Sequence, residues 1–194
     1  MAEVPSTFKL KSGQPAPDFT LPDGEGIATT LTSLTDGRKG IIIAFVCNHC
    51  PFVIHLAVAL GKFAKECDKK GIGFVTINSN DVENYPDDSP ENMVRFSQSS
   101  GWDFPYLYDE SQMVAKSYSA ACTPDFYLFN GDLQLTYAGQ FDRTRPGRGG
   151  RPTGDDLRGA VEDLLSNRPT PEPWYPSSGC NIKWKPGESP DYFD

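Results

Sequence analysis

Cys47 and Cys50 stand two residues apart in the stretch GIIIAFVCNHCPFVIHLAVAL, Gly40 to Leu60. Two thiols so spaced can exchange disulfides if one loses its proton near neutral pH and the other reaches the same sulfur. An apolar run leads into the pair. From Pro51 onward Val53, Leu56, Leu60, Phe63 and Cys67 recur at steps of three and four, the stripe of an amphipathic helix ending near Gly71. The dithiol therefore falls at a helix N-terminus, where free N–H groups and the positive end of the macrodipole stabilise an anion. Thiols in such places have pKa values of roughly 3.5–7.5 in place of ~8.5. Cys47 is the expected nucleophile. Cys50, one helical turn on, is the expected resolving thiol, which attacks the mixed disulfide and releases the substrate. His49, when protonated, favours the thiolate further, so His49→Pro is expected to raise the Cys47 pKa in a thiolate titration.

Zinc would use the same residue types but needs four ligands. The chain has one CxxC, and its two histidines, His49 and His55, both lie beside it. Thiol chemistry is the better reading and no metal is expected. His55 shares a helical face with Ala59, Lys62 and Glu66 and reads as a surface residue. No nucleotide or flavin motif is evident, so no bound cofactor is expected, and electrons come from an external dithiol protein or a small thiol.

The elements that must position the dithiol follow a simple order. Residues 40–46 form a continuous apolar, branched run, a strand buried on both faces. After the CxxC helix come a second buried strand (GFVTINSN), an acidic loop, and a helix (SPENMVRFSQSSG) that Ser89 could cap ahead of Pro90. A strand (FPYLYD), a short helix (ESQMVAKSYS), a hairpin around Asn130-Gly131 and a last helix (GDDLRGAVEDLLSN) complete the core. Before the first buried strand, GQPAPDFTLPDGEGIATTLTSL reads as extended structure with an Asp-Gly turn. The expectation is an α/β domain over 1–166 with an N-terminal β extension. The tail, 167–194, is irregular and proline-rich, but its Trp174, Tyr175, Trp184 and Tyr192 suggest that it packs on the domain.

At 194 residues, 38% hydrophobic and 23% charged, the chain is long enough for one domain with a full core. A formal net charge of −8 argues against nucleic acid as partner, because a phosphate backbone is repelled by such a surface. No segment approaches the roughly 20 apolar residues that span a bilayer, and the N-terminus lacks a signal-like apolar core. No membrane partner is expected, and the expected location is the cytoplasm.

Five cysteines, an odd number without framework spacing, suit reduced or cycling thiols better than a secreted disulfide scaffold. Cys67 continues the apolar stripe and reads as core. Cys122 is either packing or an extra redox partner. Cys180, in the irregular tail, is either a structural anchor or a resolving thiol. The Gly/Pro-rich loop RTRPGRGGRPTG, with Arg143, Arg145, Arg148 and Arg151, reads as a solvated insertion.

A strand–CxxC–helix unit in a βαβ pattern is thioredoxin-like, and ACTPDFYLF adds Thr123-Pro124 just before a strand, where thioredoxin-fold proteins carry a cis-proline facing the dithiol. From GQPAPDFTLPD through CNHCP to CTPDFYLFNGD, roughly residues 10 to 166, the sequence resembles the peroxiredoxin-like branch of the alkyl hydroperoxide reductase and thiol-specific antioxidant superfamily. GCNIKWKPGESPDYF also looks like a tail of that branch. The resemblance implies a thioredoxin fold, a central mixed sheet flanked by helices, in which Thr123 and Pro124 present backbone for an extended substrate. True peroxiredoxins are similar in presenting Pro-x-x-x-Thr-x-x-Cys. Lining Cys50 up with their attacking cysteine puts Cys47 in the threonine's place and Ile43 in the proline's, and their arginine's position falls near Pro124. The peroxide-binding set is missing, whereas the dithiol and the proline of an oxidoreductase are present. Residues 40–46 also lack the acid that thioredoxins bury before their CxxC, so proton removal from Cys50 needs another base or water.

The leading expectation is a thiol–disulfide oxidoreductase in redox homeostasis, acting on a disulfide-bearing protein or small molecule. Its alternative is a thiol peroxidase reducing hydroperoxides through a sulfenic acid. A third reading is a non-catalytic binding module on the same scaffold.

Overall fold

In the computed structural model, which describes residues 3–193, the chain begins with three short strands, β1 (Glu3–Pro5), β2 (Thr20–Pro22) and β3 (Ala28–Thr30), and a one-turn helix α1 (Leu31–Thr35). There follow β4 (Gly40–Phe45), α2 (Pro51–Lys69), β5 (Ile72–Asn78), a 3-10 turn (Pro86–Asp88), α3 (Pro90–Ser100), β6 (Tyr106–Tyr108) and α4 (Met113–Tyr118). The chain ends with β7 (Cys122–Thr123), β8 (Asp125–Asn130), β9 (Leu135–Gly139), α5 (Asp155–Leu165) and β10 (Ser178–Asn181).

The central sheet has five strands in the order β6-β5-β4-β8-β9, with β4, β5 and β6 parallel and β8 and β9 antiparallel to their neighbours. β4 lies in the middle, and all six of its residues are buried. Its side chains divide by alternation. Ile42 and Ala44 meet the apolar stripe of α2, whose Val53, Leu56, Leu60, Phe63 and Cys67 are all buried as the periodicity predicts. Ile41, Ile43 and Phe45 face the opposite layer with Tyr118, Tyr127 and Phe129. Each such fully buried side chain contributes about 1.5–3 kcal/mol, so the strand that delivers the dithiol is among the most firmly held parts of the chain.

The helix ends follow local chemistry. Ser89 Oγ accepts from the Asn92 N–H at 3.4 Å with Pro90 in the first turn, and α3 stops at Gly101, whose φ of 68° needs no Cβ. The Asn130 turn is longer than a two-residue hairpin. Asn130 Oδ1 accepts from Asp132 and Gln134 N–H groups, and Leu133 takes the positive φ that Gly131 does not.

The tail differs from expectation. It contains β10, which runs antiparallel between β1 and β7, so residues from both ends of the chain are bonded to the domain. SGCN has no strand signature; ladders on both of its sides hold it extended. Trp174 packs against Tyr137 with ring centroids 5.7 Å apart, and the Tyr192 hydroxyl donates to the Ala120 carbonyl at 3.0 Å. Among the described residues no helix is long and apolar enough to cross a membrane.

Candidate active site

The Val46 N–H still donates to the Ile77 carbonyl at 2.9 Å, so the chain leaves β4 in line with the sheet and has only four residues in which to turn into α2. Pro51 starts the helix, where its missing N–H has no helical partner to lose. Cys50 is the N-cap. The Val53 N–H faces its sulfur without completing a capping hydrogen bond.

Asp88, fully buried, holds this turn. Its Oδ1 accepts from the N–H groups of Asn48 at 2.8 Å and His49 at 3.3 Å, and its Oδ2 accepts from Asn80 Nδ2 at 2.7 Å. His49 Nδ1 lies 2.7 Å from Oδ2 but off the hydrogen-bond direction, an ion pair more than an aligned bond. That carboxylate contact raises the His49 pKa against the opposing effect of burial. Burial pushes Asp88 upward in turn, yet His49 and the Asn80 and Asn48 donors keep it below the usual carboxylate value. Tyr85 stacks on the imidazole at 6.1 Å. Asp88 was not picked out from sequence; the only signal was an acidic pair, Asp87-Asp88, before the capping Ser89.

Both sulfurs are buried, Cys47 at 1% and Cys50 at 0% exposure. Cys47 Sγ lies 3.4 Å from Thr123 Oγ1, and the protonated Cys50 thiol donates to the Thr123 carbonyl at 3.1 Å. The groups that lower the Cys50 pKa are the Cys47 thiol first, then the Cys180 thiol and the N–H groups of Val53 and Cys180. These outweigh burial and bring Cys50 down to about 5. Burial pushes Cys47 up, and donation to Cys50 and the nearby charge of Asp88 push it further. The sequence leads to an acidic Cys47, whereas the groups that lower a thiol pKa here gather around Cys50. Cys47 sits inside the turn beside a carboxylate, whereas Cys50 occupies the cap itself.

The Thr123-Pro124 peptide is cis, as expected, and Thr123 touches both sulfurs. The backbone edge beside it, expected to receive an extended substrate, is filled by the chain's own β10, with Cys180 opposite Thr123 and Asn181 opposite Cys122. Cys122 follows the strand's alternation away from the dithiol and donates to the Pro124 carbonyl at 3.7 Å. Burial raises both Cys122 and Cys67, the latter to about 12. Cys180 is brought against Cys50, and burial and donation to that sulfur raise it to about 12. Asp125, next to the cis-proline, is another buried carboxylate that the sequence did not single out. Burial raises it to about 6 against the donors Ser6 and Tyr127.

His55 is half-buried, with Nε2 3.0 Å from Thr144 Oγ1, so it ties α2 to the arginine loop. That loop is fixed in part: Asp142 accepts from the N–H groups of Thr144, Thr153 and Gly154, and Arg145 donates to Gln140 Oε1. Arg148 and Arg151 remain exposed. For a metal, Cys47, His49 and Asp88 bring three donor atoms within 4.8 Å of one another. The Asp88 oxygens are already committed to Asn48, Asn80 and His49.

The Redoxin family model matches residues 11–149, well over half of the chain. The chain belongs to the Redoxin family. Over 115 residues this Redoxin chain is 29% identical to a Mycobacterium tuberculosis protein with a provisional peroxiredoxin name, covering 59% of the chain and 67% of that relative. It is 48% identical, with a TM-score of 0.91, to an uncharacterized conserved protein from Geobacillus kaustophilus, covering 96% of this chain and 98% of that one. A secreted Mycobacterium tuberculosis disulfide oxidoreductase homologous to E. coli DsbE shares the fold, with a TM-score of 0.56 at 21% identity over 74% of this chain and 94% of that one. The peroxiredoxin-like resemblance, the thioredoxin fold and a thioredoxin-like redox function are therefore properties of this Redoxin chain. The family match ends before α5 and β10, so the strand that fills the groove lies outside it.

Proposed function

We propose that this Redoxin chain is a thiol–disulfide oxidoreductase whose redox couple is Cys47 and Cys50. The observation that carries the reading is the placement of Cys50 at the N-cap of α2, beside a second thiol and under the backbone of Thr123, with its pKa lowered to about 5. The Cys50 thiolate attacks one sulfur of a substrate disulfide and expels the other as a thiolate, which takes a proton. Cys47, deprotonated in turn, attacks the Cys50 sulfur of the mixed disulfide and releases the second substrate thiol. The chain is left with a Cys47–Cys50 disulfide, which an external dithiol reduces. This order reverses the one expected from sequence, because the charge rests on the cap residue. The substrate, a disulfide-bearing protein or small molecule, reaches the sulfurs when β10 yields the Thr123 edge to it. The setting that suits this cycle is a reducing cytoplasm, where thiols are kept reduced between turnovers.

A second reading is favoured by one observation. Cys50, the low-pKa sulfur, is the residue that aligns with the attacking cysteine of peroxiredoxins. As a peroxidase, its thiolate would cleave a hydroperoxide to an alcohol and a sulfenic acid, and Cys47 would displace water to form the same disulfide.

Rapid mixing of the reduced protein with a disulfide and, separately, with hydrogen peroxide tests the choice. The proposal expects fast disulfide reduction and slow peroxide consumption. The reverse selects the peroxidase, and silence toward both selects a binding module.

A further inference from the structure

β10 occupies the place where a substrate strand would pair, and it carries a cysteine at the one register position that matters. Cys180 is directly opposite Thr123 in an antiparallel ladder. Opposed residues in such a ladder project to the same face, with Cβ atoms about 4.5–5.5 Å apart. The Thr123 side chain touches Cys47 and its carbonyl touches Cys50, so that shared face is the dithiol's face. The thiol and the N–H of Cys180 both act to lower the Cys50 pKa, as groups close to that sulfur do. Cys180 is 3% exposed and packs in the same apolar cluster as Cys47 and Cys50. Gly179 brings it this close. A Cβ at that residue would overlap the Thr123 carbonyl, so only glycine lets the tail backbone lie flat on the Thr123-Pro124 step.

We infer that Cys180 is a third exchange thiol, which takes over Cys50 from Cys47 so that the oxidised chain carries its disulfide between Cys50 and Cys180. The inference rests on the dithiol reading above. In the Cys47–Cys50 disulfide the Cys180 sulfur, already beside Cys50, gives up its proton and attacks Cys50. The Cys50–Cys180 bond forms, the Cys47–Cys50 bond breaks, and Cys47 leaves as a thiolate that takes up the proton. No electrons enter or leave. The product fastens β10 over the groove and returns Cys47 to the thiol state, so oxidation locks the closed arrangement that the reduced chain already adopts. Cys122, on the same short strand as Thr123 but on its other face, takes no part.

Disulfide mapping of the full chain decides this. The reduced protein is oxidised with one equivalent of glutathione disulfide, quenched in acid, alkylated and digested. In the wild type a Cys50–Cys180 cross-link is expected beside Cys47–Cys50. In Cys47→Ser, Cys180 is expected to lose its alkylation as Cys50–Cys180 becomes the product. In Cys180→Ser, a change of one atom, Cys47–Cys50 is expected to be the sole internal disulfide. A wild type that yields only Cys47–Cys50, with Cys180 fully alkylated in Cys47→Ser, overturns the inference and leaves the dithiol reading standing. Absence of every internal disulfide overturns both.

Discussion

Asp88 does for this dithiol what no residue of the preceding strand can. It bonds two successive N–H groups of the CxxC turn, pairs with His49 and accepts from Asn80, all while fully buried. Asp88→Asn keeps the shape but removes the charge, and the donors left with a poorer acceptor cost about 1–3 kcal/mol. The pH dependence has two limbs. Asp88 has a lowered pKa, so its contribution is full above the ordinary value of about 3.9 and is lost as pH falls through the lowered one. His49 has a raised pKa, so its contribution is full below about 6.5 and is lost as pH rises through the raised value. The stability gap between wild type and Asp88→Asn, from urea denaturation, is therefore expected to be widest between about pH 4 and 6.5. A gap that does not vary with pH contradicts the pairing. At this scale the CxxC pair and its place at a helix N-terminus were legible in sequence, because the spacing and the helix stripe are local signals. The sequence did not disclose how the two thiol pKa values are biased. That depends on Asp88, Thr123 and Cys180, which lie far along the chain and meet the motif only through the fold.

β4, α2, β5, α3 and α5 were legible in sequence because burial and periodicity specify them locally; β10 was not. Its four residues are extended because β1 and β7 offer it two ladders, a long-range cause without a local signature. It is also the element that covers the Thr123 edge beside the dithiol. Gly179→Ala places a methyl group against the Thr123 carbonyl and is expected to lift β10 from β7, at a cost of about 1–3 kcal/mol. Alkylation of Cys50 by iodoacetamide at neutral pH is then expected to become faster than in the wild type, measured by mass spectrometry over time. An unchanged rate means that β10 does not govern access to the sulfur.

For the molecule as a whole, the reduced dithiol links redox state to stability. Cys50 is an acid whose folded pKa, about 5, lies below its unfolded value, so its contribution is full above the ordinary thiol value of about 8.5 and is lost as pH falls through about 5. The oxidised chain has no such thiolate. The stability of the reduced protein relative to the oxidised protein is therefore expected to rise from pH 5 to about 8.5, in denaturation curves recorded for both forms. A difference that stays flat over that range places the low pKa elsewhere. The most direct measurement, however, is of the first covalent step. In Cys47→Ser/Cys180→Ser, which lacks both thiols able to resolve it, a substrate disulfide is expected to leave a stable mixed disulfide on Cys50, identified by mass spectrometry after acid quench. A mixed disulfide that instead forms only on Cys47, in Cys50→Ser, or that forms on neither sulfur, contradicts the assignment of Cys50 as the exchanging thiolate.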